Sequence, residues 1–302
     1  MIVKLQIPWN RIIKDLRLPL VIIVFYMSIL SILDHYLSLE ELHIPLGLIT
    51  VPGTVIALLL GFRTNSAYDR WWEARIIWGA IVNDSRTWVR QLMTFIPFGN
   101  RESNEFQLIR ELGLRHVAWN YSLTRNLRKQ DPAQDLKGLI TENEIDKLKG
   151  KINVPNALLY TQAEKIKNAH KDQLLDAYQF VQLDGTLSRL TDSMGKCERI
   201  KSTVFPSSYS LLVDLLIYLW ILFLPFGLVD TIGYFLIPTT ISLAFSFLVI
   251  DRIAVYMQDP FENLPSDTPM LSLSRTIEIN IRQELNVENI PEPLKPENGV
   301  LM

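Results

Sequence analysis

The sequence predicts an all-α membrane protein with four spanning helices and a large helical domain on one side of the bilayer. Three observations predict it. Four segments are long and apolar enough to cross a bilayer, which takes about 20 mostly apolar residues in a helix. Lysine and arginine collect beside one set of their ends. The residues between the second and third spans carry the charge that the spans lack. The averages alone would not show this. Charged residues are 21% and hydrophobic residues 48% of the 302, values that a soluble protein could also have.

The first span is Leu18–Leu33, extendable to Leu37 through Asp34 and His35. The second, Leu42–Phe62, holds no charged residue at all. The third is Tyr209–Val229, interrupted only by Asp214, and the fourth is the uncharged Thr231–Ile250. Strands are excluded for these runs, because open sheet edges cannot sit in lipid and the runs are too long for barrel strands. Basic residues precede the first apolar run, as in a signal peptide, but the run is too long for that and no small-x-small cleavage site precedes Asp34. A retained first span is expected.

Orientation follows from the basic residues. Lys4, Arg11, Lys14 and Arg17 precede the first span, and Arg63, Arg70 and Arg75 follow the second. Lys196, Arg199 and Lys201 precede the third, and Arg252 follows the fourth. The two remaining loops hold Asp34, Glu40, Glu41 and Asp230 and no basic residue. All loops agree on one arrangement: a multi-pass protein of the cytoplasmic (inner) membrane, both termini cytoplasmic, two short acidic loops outside.

Four regions result. Residues 1–62 hold the N-terminal segment and spans one and two. Residues 63–208 form a helical cytoplasmic domain that continues the second span. Residues 209–256 carry spans three and four, and 257–302 a cytoplasmic segment and tail. Within 63–208, Pro97–Gly99 marks a turn, and Asp131-Pro132 and Val154-Pro155 mark further breaks. Phe106–Asn126, Glu142–Lys151 and Ala163–Leu190 have helical character, as does Leu273–Leu285 after the last span. The tail from Asn286 is expected to be loosely ordered.

Chemistry-bearing motifs are scarce. There is no phosphate-cradling glycine loop, no Gly-x-Ser-x-Gly and no His-Glu-x-x-His. The histidines His35, His43, His116 and His170 are scattered, the two inner ones suited to packing or surface roles. The single cysteine, Cys197, permits no intramolecular disulfide. A net charge of -2 argues against a nucleic-acid partner. These features exclude the common catalytic classes and call for no cofactor.

Ionisable groups inside spans are expensive and are functional candidates. Within the predicted spans only Asp214 qualifies, either as an interhelical hydrogen-bonded contact or as part of a transport path. The second span has another peculiarity. Pro52-Gly53 sits near its middle, where a kink or break is expected. Beyond it Thr54, Leu58 and Phe62 recur at i, i+4 and i+8 on one face, with Gly61 and Asn65 close by. That face could be ordinary packing or lipid contact. It could also be the wall of an apolar constriction, built by several copies around an axis and able to gate by dewetting.

Specific motifs add a resemblance. Leu60-Gly61-Phe62-Arg63 followed by Asn65-Ser66-Ala67-Tyr68-Asp69-Arg70-Trp71-Trp72-Glu73-Ala74-Arg75 resembles the bestrophin family in its bacterial branch. Gly195-Lys196-Cys197-Glu198-Arg199-Ile200 ahead of the third span and Asp259-Pro260-Phe261-Glu262-Asn263 after the fourth are similar to the same family. The resemblance covers essentially the whole chain. It implies a homopentameric ion channel in the lipid bilayer, with one central pore and no enzymatic activity. It implies that Thr54, Leu58 and Phe62 form the narrow neck, threonine standing where the family usually has isoleucine. It implies supporting roles for Gly61, Arg70, Trp71 and Trp72, and a lower constriction between Tyr178 and Leu187.

The ion is left open. The resemblance favours chloride, whereas the acidic outer loops would concentrate a cation such as sodium. Animal members of the family carry a calcium clasp after the fourth span. Here that stretch offers Asp259, Glu262 and Asp267, with Leu264 and Pro265 between them. Calcium takes six to eight oxygen ligands, so these make a poor cage and no metal is expected. A membrane scaffold or sensor whose cytoplasmic helices bind a partner is the non-channel alternative.

Overall fold

The computed structural model describes residues 9–37, 44–203, 205–287, 289–296 and 300–301. Among them nine α-helices run in order: α1 Trp9–Leu37, α2 Leu46–Phe95, α3 Asn104–Leu127, α4 Glu142–Leu148, α5 Val154–Lys171, α6 Ala177–Ser202, α7 Ser207–Ile232, α8 Leu236–Gln258 and α9 Met270–Glu284. The described residues contain no named strand; Lys137 and Ile140 form an isolated bridge. Four helices, α1, α2, α7 and α8, are long and apolar enough to cross a membrane.

The helices fall into two compact units, and α2 belongs to both, the division lying between Trp71 and Trp72. The first unit contains α1, the first half of α2, α7 and α8. Here α8 packs against both α1 and α7. Its core is aliphatic, with Leu16, Met27, Ile56, Leu60, Val213, Leu224 and Ala244 among the buried side chains. Tyr209 Oη donates to the Leu59 carbonyl at 2.9 Å and Tyr26 Oη to the Leu222 carbonyl at 2.6 Å, so each phenol is satisfied within the apolar bundle.

Of the kink or break expected at Pro52-Gly53, the break does not occur: α2 is one α-helix through both residues. Pro52 lies in the second turn and forfeits only the bond to the Leu48 carbonyl. Gly53 serves packing instead. A methyl group there would meet Trp220 Nε1 at 2.9 Å. That indole N–H donates to the Ile49 carbonyl, also at 2.9 Å. Gly227 does the same for Ile49, whose Cγ1 would lie 2.6 Å from an added Cβ. The turn between the last two spans also sits later than expected. It is a 3-10 turn at Gly233–Phe235, opened by Gly233 at φ 50, so α8 begins at Leu236 rather than Thr231.

The second unit is built around α3, which packs against α5, α6 and α9. Its core contains three fully buried tryptophans, Trp78, Trp88 and Trp119. The continuous helix expected over Ala163–Leu190 is two helices, α5 and α6. Gln173 adopts φ 58, its N–H bonds the His170 carbonyl at 3.1 Å, and the Leu174 N–H bonds the Ala169 carbonyl at 2.9 Å. These two bonds form a Schellman end without a glycine. Asp176 then opens α6 through a reciprocal capping box with Gln179. The ends of α3 and α9 repeat the device with Lys129 and Asn286.

His116 is fully buried, stacked on Trp119 with ring centroids 5.3 Å apart. Its Nε2 lies 2.8 Å from Ser85 Oγ, which itself donates to the Ile81 carbonyl. Ser85 therefore accepts, and the imidazole carries its hydrogen on Nε2. Burial pushes its pKa down to about 3. Cys197 is also buried, and burial together with Glu198 and Glu73 pushes its thiol upward.

Candidate pore-lining helix

Up to Ala74, α2 has two opposed faces. Ile49, Gly53, Ile56, Leu60, Arg63, Ala67 and Ala74 are buried. Their spacing of three and four is that of one helical stripe. The opposite face carries Thr54, Leu58, Phe62 and Asn65, all exposed and uncharged, and one turn further on the exposed Asp69 adds a carboxylate to it. Leu58 is 60% and Phe62 68% exposed. Thr54 Oγ1 donates to the Thr50 carbonyl at 3.0 Å, so its hydrogen is used within α2. A Cβ added to Gly61 would meet nothing within 4 Å, so this glycine leaves open space on the same side.

One residue beyond Phe62, Arg63 points the other way. It is 4% exposed and forms an ion pair with the buried Asp251 of α8. Asp214 of α7 is 3.5 Å from the same guanidinium and 42% exposed. Ser210 Oγ receives a further contact from Arg63 at 3.4 Å. Asp214 is thus an interhelical contact. It is not the sole ionisable group within the long apolar helices, because α8 continues through Asp251 to Gln258. A signal was available: Ala244, Leu248, Asp251 and Ala254 lie on one helical stripe, and all four are buried.

Arg70 Nε donates to the Gln258 carbonyl at the end of α8, at 2.8 Å. Trp71 lies beside Tyr68, ring centroids 5.9 Å apart. Trp72 is exposed. In the acidic stretch, Asp259 follows α8 as its C-cap. Glu262 pairs with Lys201, and Asp267 Oδ2 accepts from the Leu264 N–H at 2.9 Å. Both carboxylates are engaged by protein donors. Across the window expected for a lower constriction, Tyr178 and Val181 are exposed, whereas Leu183 and Leu187 are buried in the core.

The description of the bacterial and fungal bestrophin proteins matches residues 3–283. The chain belongs to the bestrophin family. Its relatives agree along nearly the whole length. The voltage-dependent anion channel-forming protein RSc3414 of Ralstonia nicotianae is 31% identical over 283 residues, 92% of this bestrophin and 90% of the relative. YneE of Escherichia coli K12, of the same description, is 27% identical over 90% of this chain and 87% of its own. A crystal structure of a bacterial bestrophin homologue from Klebsiella pneumoniae superposes with a TM-score of 0.82 at 30% identity. It covers 89% of this bestrophin and 98% of the homologue.

Proposed function

We propose that this bestrophin is one subunit of a homopentameric channel of the cytoplasmic membrane, with both termini cytoplasmic, that passes chloride and similar small anions passively. Thr54, Leu58 and Phe62 of α2 form its neck. The observation that carries this reading is the two-faced α2. One face is buried and anchored through Arg63 and Trp220. The other offers two large apolar side chains, carries no charge from Thr54 to Asn65, and is left exposed by the described residues. A ring of such side chains dewets when narrow and conducts when it widens. Its neutrality imposes no charge sign. The anion preference is supported by the description of the relatives as anion channel-forming proteins.

A lower constriction at Val181 is part of the same proposal. It is supported by the side chain's 63% exposure at mid-window, beside the buried Leu183. A sodium-selective pore of the same architecture is the second reading. The four acidic residues and absent basic residues of the loops at Asp34–Glu41 and Asp230 favour it.

Currents across a planar bilayer containing the purified protein test both readings under a sodium chloride gradient. A zero-current potential with the sign of the chloride equilibrium potential supports the anion channel, and the opposite sign supports the cation channel. No current from the wild type or from a Leu58→Ala/Phe62→Ala variant overturns the channel reading.

A further inference from the structure

Arg86 and Arg90 stand one turn apart on the second half of α2, both exposed, and neither guanidinium has a hydrogen bond or ion pair among the described residues. Like charges at this spacing repel. The two line a cavity of about 430 Å³ between α2 and α9. Its apolar wall is Val89, Met93, Ile277 and Ile281. The hydroxyls on that wall offer little to a ligand. Ser85 donates to the Ile81 carbonyl at 2.6 Å, and Thr94 to the Arg90 carbonyl at 2.8 Å. One carboxylate, Glu284, also lines the cavity, and the amides of Asn280 and Gln283 complete its polar rim. Two guanidiniums against one carboxylate leave a positive excess beside an apolar wall.

We propose that this cleft binds a small organic phosphate, its phosphate on Arg86 and Arg90 and its apolar body against Val89, Met93, Ile277 and Ile281. Guanidinium forks match phosphate oxygens in geometry as well as charge. The cavity has room for a ring-sized body beside the head group. Neither half of the site suffices alone: the arginines are exposed to water and salt, and the wall gives no orientation. The inference does not depend on the channel reading, since binding is measured without current.

Isothermal titration calorimetry on the full-length protein, purified in phospholipid-free detergent, tests it with phenyl phosphate, inorganic phosphate and phenol. Phenyl phosphate is expected to bind the wild type at least tenfold more tightly than either fragment. An Arg86→Gln/Arg90→Gln variant should weaken it at least tenfold, and Glu284→Gln should tighten it. All three positions are exposed, so the variants should keep the wild-type elution volume and melting temperature. Displacement by dihexanoyl phosphatidic acid would assign the natural ligand to lipid, and failure to displace would assign it to a soluble ester. The proposal is overturned if phenyl phosphate does not bind the wild type, if phenol binds as well, or if the double arginine variant binds unchanged.

Discussion

Arg63 is held against Asp251 inside the bundle while Phe62, its neighbour in sequence, turns outward. One peptide bond separates the buried charge from the exposed ring, so the ion pair sets the rotation of α2 and thereby the direction of the proposed neck. Removing one partner of a buried pair leaves an uncompensated charge and costs about 3–5 kcal/mol. Asp251→Ala should therefore lower the melting temperature of the detergent-solubilised protein strongly. Asp214→Asn should cost less than about 1 kcal/mol, because that carboxylate is half in solvent and farther from the guanidinium. Equal losses would show that the two acids share Arg63 evenly.

Two glycines in one helix should respond oppositely to alanine. At Gly53 the new methyl meets the Trp220 indole, which is itself fixed by its bond to Ile49. Overpacking of this kind costs about 1–3 kcal/mol. At Gly61 the methyl meets open space. There alanine should stabilise the helix by about 0.5–1 kcal/mol through lower backbone entropy in the unfolded chain. Thermal melts of the two variants check both signs.

The neck reading predicts conductance. Leu58→Ala and Phe62→Ala should each raise single-channel current and lengthen openings, since a smaller apolar ring resists wetting less. Thr54→Ile should lower current by making the upper ring more apolar. Val181→Ala should raise it from the lower constriction. Bilayer recordings of the four variants at one voltage decide this, and a wild-type current in all four would move the pore to another helix.

His116 predicts acid sensitivity. The buried imidazole has a pKa near 3 in the folded chain against 6.5 when exposed. Between those values the unfolded chain holds a proton that the folded chain does not. Stability is therefore complete above about pH 6.5 and falls as pH drops toward 3, at up to about 1.4 kcal/mol per pH unit. From pH 6.5 to pH 5 this amounts to about 2 kcal/mol. Melting of the wild type and of His116→Gln at both pH values should show a steeper acid loss in the wild type. Parallel losses would remove His116 as the cause.

Gln173→Gly should stabilise the second unit. A non-glycine residue in the left-handed region costs about 1–2 kcal/mol, part of which glycine returns as unfolded-state entropy. The net gain should be about 0.5–1 kcal/mol, read as a higher melting temperature. Asp176→Ala, which removes the capping box just after it, should cost about 1 kcal/mol.

The spans and the outward face of α2 were legible because both are patterns of one residue type: charge-poor runs, and a strict i, i+4 recurrence. The places where reading failed are those where one residue does something its type does not advertise. Gln173 ends a helix in a conformation usual for glycine, in a stretch with no proline or glycine from Ala163 to Phe180. Pro52 and Gly53 look like a breaker pair, yet the proline costs one bond near the helix start and the glycine admits an indole. Asp251 follows an uncharged run and looks like its end. Only its place on a stripe with Ala244, Leu248 and Ala254 marks it as interior. Its partner Arg63 looks like the basic flank of a span for the same reason.

Cys197 supplies a practical tool. The chain's only thiol is buried and held in its protonated form. Thiol-reactive reagents attack the thiolate, so the wild type should be nearly silent toward them. Any cysteine introduced along the outward face of α2 would then report alone. The order in which Thr54→Cys, Leu58→Cys and Phe62→Cys are modified from each side of the bilayer would map water entry along that face without a background substitution.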